Sequence, residues 1–364
     1  MGLLSSLVDR RVNRLARAAT GAPSATALAL HRAMPVVDLV VGSALFRDYF
    51  LESGGGMVDL PRLRTGGVKL VGLTIATRFP DLHGTLSNVH FRSLGLPADR
   101  LLSNMAIAEW LVGRVEGWAA GSGGTLAIVR TRADLERCLA PGGPVGVLLG
   151  VQGGHVLDGA VANIARLYAL GVRMLSPAHV MDNELVGSGT GRRRHGLTVL
   201  GRAVMGELEA SGVIVDLAHM SLDGIGDALP LLMRPFVLSH TGLLEVHASS
   251  SRWRRYTPAR RNLPAAVVRD VGRAGGLVGA VLANALNGGG LDRAAELVRR
   301  LVDVAGAENV AIGSDMDGAL ATPIDAAGLP LLTDALLEGG LEPPTVEGVM
   351  GGNAIALLRR ALPA

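Results

Sequence analysis

Short continuous apolar runs, rich in Val, Ile and Leu, recur along the chain at residues 35–41 (PVVDLVV), 68–77 (VKLVGLTIAT), 144–152, 172–179, 213–219, 236–241, 276–284 and 310–315. Runs that are apolar at successive positions, not alternate ones, predict parallel strands covered on both faces. Between most of them the apolar period changes to that of a helix, over 157–171, 197–212, 263–276 and 292–306. Gly171, Gly212 and Gly275 fall where three of these helices should stop. Eight strand–helix units predict an α/β fold, a TIM (β/α)8 barrel, with a doubly wound sheet as the alternative.

The same pattern divides the chain into a leader, residues 1–34, predicted helical, and a single barrel domain over 35–364, closed by a terminal helix over 346–362. No linker separates two folding units. Two long polar loops, 78–100 and 184–196, follow strands, and on a barrel such loops face the site.

Composition adds little except exclusions. An apolar fraction of 49% with a net charge of +3 excludes a disordered chain, and the length buries a core without disulfides. The pI near 9.6 reflects a single lysine, Lys69, among 35 basic side chains, the rest being arginines that do not titrate below pH 9. It does not predict a nucleic-acid partner, and the clusters Arg192–Arg194 and Arg252–Arg255 are expected to be solvated loop faces. Gly2 and Ser6 match a loose myristoylation pattern, for which an amphipathic leader helix is the better explanation. The lone Cys138, the lack of a signal segment and the lack of an 18-residue apolar run lead to the expectation of a cytoplasmic protein without a transmembrane span.

In a barrel the chemistry sits where strands end. Four of the eight runs close on or beside a metal-binding or proton-transferring group: His179, His219, His240 and Asp315. A fifth closes on Gln152, with His155 just beyond it. Three histidines at consecutive strand ends point to a site more strongly than any one of them.

Several strings carry a specific resemblance: VDLPRLRTGGVKLVG (58–72), GVQGGHVLDG (150–159), LYALGVRMLSPAHVMDNELVGSG (167–189), HGLTVLGRAVMGELEASGVIVDLAHMS (195–221), PFVLSHT (235–241), VAIGSDMDG (310–318) and GGNAIALLRR (351–360). In this order the chain resembles the membrane dipeptidase family of zinc peptidases, in the metallo-dependent hydrolase superfamily, from Val36 to Leu358. The resemblance implies a TIM barrel and two-zinc hydrolysis of a dipeptide. By it, His219 and His240 match the two histidines of one zinc. Asp315 matches the aspartate that handles the leaving-group proton, His179 the histidine that polarises the substrate, and Arg261 the arginine that holds the substrate carboxylate.

The other half of the family's centre departs. Where the resemblance implies a His-x-Asp pair and a bridging glutamate, the chain has Val40, Gly42 and Gln152. Valine and glycine bring no side-chain donor, and an amide brings no charge. Two adjacent dications need an anionic bridge, so at most one zinc ion is expected, or none. Three functions follow as expectations: a dipeptidase-like protein without ordinary two-zinc activity, a mononuclear metal hydrolase on His219, His240 and Asp315, or a dipeptide-binding or scaffolding pseudo-enzyme. The expected partner is a dipeptide or dipeptide-like small molecule, and the resemblance is compatible with a homodimer.

Overall fold

The computed structural model describes residues 9–46, 50–80, 86–88, 90–250 and 256–364. Eight parallel strands run in chain order: β1 (Val36–Val41), β2 (Val68–Ile75), β3 (Val145–Gln152), β4 (Val172–Ser176), β5 (Ile214–Val215), β6 (Val237–Thr241), β7 (Leu277–Ala280) and β8 (Val310–Ile312). They coincide with the eight apolar runs. Each pairs with the next in sequence, and β8 pairs back onto β1 through Ile312 and Asp38. Between β5 and β6 the contact is one parallel bridge, Asp216 to Val237, just past the end of β5. With that bridge every strand has two neighbours, which is the barrel and not the open doubly wound sheet.

The continuous hydrophobicity of the runs has its expected cause: every residue of β1 and β3 is buried. One set of strand side chains faces the surrounding helices. The other, including Val37, Leu70, Leu148, Met174 and Leu277, packs inside the barrel with Ile355, Leu358 and Leu362 of the terminal segment.

The outer helices form where the 3.6-residue period put them. Leu291–Ala305 buries Ala294, Leu297, Val298 and Leu301 along one stripe. Val199–Ser211 is capped by the Thr198 hydroxyl, which accepts from the Gly201 N–H, and stops at Gly212 in the left-handed conformation with φ 75°.

Three features depart from the sequence pattern. Leu126–Ile128 adds a short parallel strand beside the start of β3. In the leader, Ala25–Ala33 is a helix, but Arg14–Leu15 departs from the helical expectation and pairs as a strand with Ala321–Thr322. The terminal helix is broken into Pro343–Glu347 and Asn353–Ala361 by a wide turn over Gly348–Gly352. The break lets the backbone sit under the barrel: a Cβ on Gly351 would stand 2.1 Å from the Pro35 carbonyl oxygen, so only glycine fits.

Candidate functional site

The residues that closed the apolar runs meet at one end of the barrel. Gln152 is the last residue of β3, His179 and His219 follow β4 and β5, His240 lies in β6 and Asp315 follows β8. Val40 ends β1 with Val41, and Gly42 comes next. A cavity of about 640 Å³ opens there, lined by Val40, Gly42, Gln152, His179, His219 and Asp315 among others. His240 and Arg261 lie behind its wall, both buried. The backbone is bent to aim two of these side chains. His219 and Asp315 hold φ of 67° and 60°, a region that residues other than glycine rarely occupy and that a site can retain because the surrounding fold imposes it.

Three imidazoles form a stack of edge contacts, with ring centroids 4.8 Å apart for His179–His219 and 4.9 Å for His219–His240. Nε2 of His219 and Nε2 of His240 are 3.1 Å apart. A buried chain behind His240 fixes which nitrogen faces the site. The Ser239 hydroxyl donates to Asp216 Oδ2 at 2.7 Å, so its oxygen accepts from His240 Nδ1 at 2.9 Å. Nδ1 therefore carries the proton and Nε2 turns a lone pair toward His219. Asp315 Oδ2 stands 3.9 Å from the same nitrogen.

Burial sets the electrostatics. It lowers His179 to about 3 and His155 to about 4, and it holds His219 and His240 well below the ordinary value, with the Arg261 charge acting in the same direction on the three site histidines. These imidazoles are neutral at physiological pH. Asp315 is raised to about 7, first by burial and then by Asp38, against the opposing pull of Arg261. Arg261 donates through Nη2 to the His240 carbonyl at 2.8 Å, while its Nε has no partner. Gln152 Nε2, His155 Nε2, His179 Nδ1 and His219 Nδ1 are also buried without one. That concentration of unmet polar atoms marks a place built to be filled.

The β1 side of the cavity is apolar and tightly closed. Val40 is buried, and a Cβ on Gly42 would lie 2.6 Å from the carbonyl oxygen of Asp317 and 3.0 Å from Gly318 Cα. Asp317 is fixed there: its carboxylate accepts from the Ser43 hydroxyl at 2.8 Å and from the N–H groups of Met57 and Val58 at 2.8 and 3.1 Å. Asp38, also on β1, is spent on the fold, accepting from the Ser314 hydroxyl and N–H. Among the described residues, no three His, Cys, Asp or Glu side chains are disposed to share one ion. A complete two-metal centre does not fit this donor set.

Sequence reasoning missed two contributors. Tyr256 lines the cavity, and burial raises its phenol above the ordinary value; nothing in its surroundings in sequence marks it. Arg192, expected on a solvated face, is exposed but lines the cavity, because Asp182 gathers the N–H groups of Arg192, Arg193 and Arg194 and folds the loop over the mouth. Arg252–Arg255, Gly2 and Ser6 lie outside the described residues. Cys138 is buried and its thiol is raised to about 11, an inert structural group. No helix among the described residues is long and apolar enough to cross a membrane.

Comparison with known proteins agrees with this architecture. A dipeptidase of Claviceps purpurea (strain 20.1), tcpJ, is 27% identical over 318 residues, 84% of this chain and 69% of that one. The fold matches a crystal structure of the dipeptidase AC, a metallopeptidase of family M19, with a TM-score of 0.75 at 24% identity over 91% of this chain and 99% of that one. A metallopeptidase from Rhodobacter sphaeroides, solved with a phosphinate mimic of the dipeptide L-Ala-D-Ala, also gives 0.75 at 24% identity, over 90% and 99% of the two chains. Residues 24–362 match the family model for membrane dipeptidase, and the chain belongs to that family, peptidase family M19.

Proposed function

We propose that this chain binds dipeptides, or small molecules shaped like them, in the cavity at the C-terminal end of its barrel, and that it does not perform two-metal hydrolysis there. The observation that carries this reading is the substitution of the β1 side. Val40 and Gly42 supply no donor, Gln152 supplies a neutral amide, and the space beside Gly42 is filled by the Asp317 carbonyl. Two dications side by side would lack their anionic bridge. The dipeptide mimic held by the Rhodobacter sphaeroides relative supports a dipeptide-shaped occupant.

The groups that remain suit recognition. Arg261 brings a buried positive charge for a carboxylate. The neutral imidazoles and the Gln152 amide can exchange hydrogen bonds with a peptide group. Asp315, titrating near neutrality, can accept a proton from an ammonium or donate one.

One observation favours a second reading, a hydrolase with a single ion. Two relatives of known structure are metallopeptidases. His219 and His240 converge to 3.1 Å with Asp315 beside them. Such an ion would supply Lewis acidity to a bound carbonyl.

Metal analysis of zinc-supplemented protein, with calorimetry and turnover assays on a dipeptide panel, tests both. Saturable binding without turnover and with fewer than two metal equivalents supports the first. Two tightly held equivalents with turnover overturn it. Turnover with one equivalent, both abolished by His219→Ala, establishes the second.

A further inference from the structure

We infer that Arg192 makes the cavity selective for dipeptides that carry an additional carboxylate, an acidic side chain beyond the C-terminal one; this rests on the dipeptide-binding reading above. Among the described residues, Arg192 is the only arginine or lysine lining the cavity, beside the imidazoles of His179 and His219. Val180, Met181 and Leu320 line the same cavity and are apolar, while the Asp182 carboxylate beside the Arg192 backbone is taken up by main-chain N–H groups.

Its backbone is held firmly while its guanidinium is not committed. The Asp182 carboxylate accepts from the N–H groups of Ser188, Arg192, Arg193 and Arg194 at 2.8, 2.7, 2.8 and 3.2 Å, and these bonds keep Asp182 ionised. Gly191 is packed against the same carboxylate, which allows the turn to close. The bonds come from the main chain, so they leave the Arg192 guanidinium uncommitted among the described residues.

The exposed Arg192 therefore brings a positive charge to a cavity that Asp315 also lines, with Arg261 buried behind its wall. A ligand with one carboxylate has one arginine too many. A ligand with two can satisfy both. A guanidinium also offers a planar fork that matches a carboxylate, which a point charge would not.

The test is calorimetric titration of wild type and Arg192→Gln with Ala-Ala, Ala-Glu, Glu-Ala and Ala-Lys at low and high salt. The substitution keeps the main-chain bonds to Asp182, so the loop is retained. Wild type should bind the better acidic dipeptide about three- to tenfold more tightly than Ala-Ala, with the preference shrinking as salt rises. Arg192→Gln should bring the acidic-to-neutral ratio to within about twofold of one, and Arg192→Lys should restore part of it. A neutral dipeptide that binds with no acidic preference, or a preference that survives Arg192→Gln, overturns the selectivity and leaves the proposed function standing. Failure of every dipeptide to bind overturns both.

Discussion

The Asp317 carbonyl oxygen stands 2.6 Å from where a Cβ on Gly42 would be, and the Gly42 N–H donates to the neighbouring Met316 carbonyl at 2.8 Å. The loop after β8 is thereby docked on the end of β1. Restoring the family's ligands is then more than a change of donors. Gly42→Ala should destabilise the fold by about 1–3 kcal/mol, the range for forcing atoms into packed space. Val40→His with Gly42→Asp and Gln152→Glu should lose at least as much and should not bind two metal equivalents tightly. Denaturant midpoints and metal analysis of the variants check this, and a stable triple variant with two bound ions would show that the loop yields.

That packing was invisible in the sequence. The eight strands were legible because a strand covered on both faces must be apolar at every position, and β1 and β3 are. His179, His219 and Asp315 were legible because strand ends fix where side chains converge. Gly42 read as a missing ligand, whereas its physical role, admitting the Asp317 carbonyl, depends on a residue more than 270 positions away. Tyr256 and Arg192 were illegible for a similar reason: loop side chains reach the cavity through turns such as the one around Asp182, whose main-chain partners leave no mark in composition.

The Asp216–Ser239–His240 chain predicts a tautomer. Ser239 can give its one hydroxyl proton only once, and Asp216 takes it. His240 should therefore be protonated at Nδ1 in wild type. Ser239→Ala should shift the ring toward a mixture of tautomers and cost about 1–3 kcal/mol, since it strands a buried donor and an acceptor. Imidazole nitrogen chemical shifts report the tautomer directly. An unchanged His240 spectrum would mean that Ser239 does not orient the ring.

Asp315 should make the protein less stable as pH rises. Burial raises its pKa from 3.8 to about 7, so the folded state keeps a proton that the unfolded chain releases between those values. The stability from this group is complete below pH 3.8 and lost by about pH 7, at up to about 1.4 kcal/mol per pH unit. Asp315→Asn should gain on wild type across that window, with the difference levelling off above pH 7. Urea unfolding of both proteins at pH 4.5, 6 and 8 measures it, and a flat difference would place the titration elsewhere.

His31, far from the cavity, should act with the opposite sign. Its Nε2–H donates to the Gly66 carbonyl at 2.9 Å and its Nδ1 accepts from the Thr333 hydroxyl at 2.7 Å, tying the Ala25–Ala33 helix to two others. Burial lowers its pKa from 6.5. The unfolded chain therefore takes up a proton below pH 6.5 that the folded one refuses, and stability falls as pH drops through that value. His31→Gln removes the titration, so the advantage of wild type over the variant should shrink between pH 7 and pH 5, by no more than about 1.4 kcal/mol per unit. The sign is the decisive part of the measurement. An advantage that grows on acidification would mean that the folded state binds the proton, with Thr333 accepting from a charged ring.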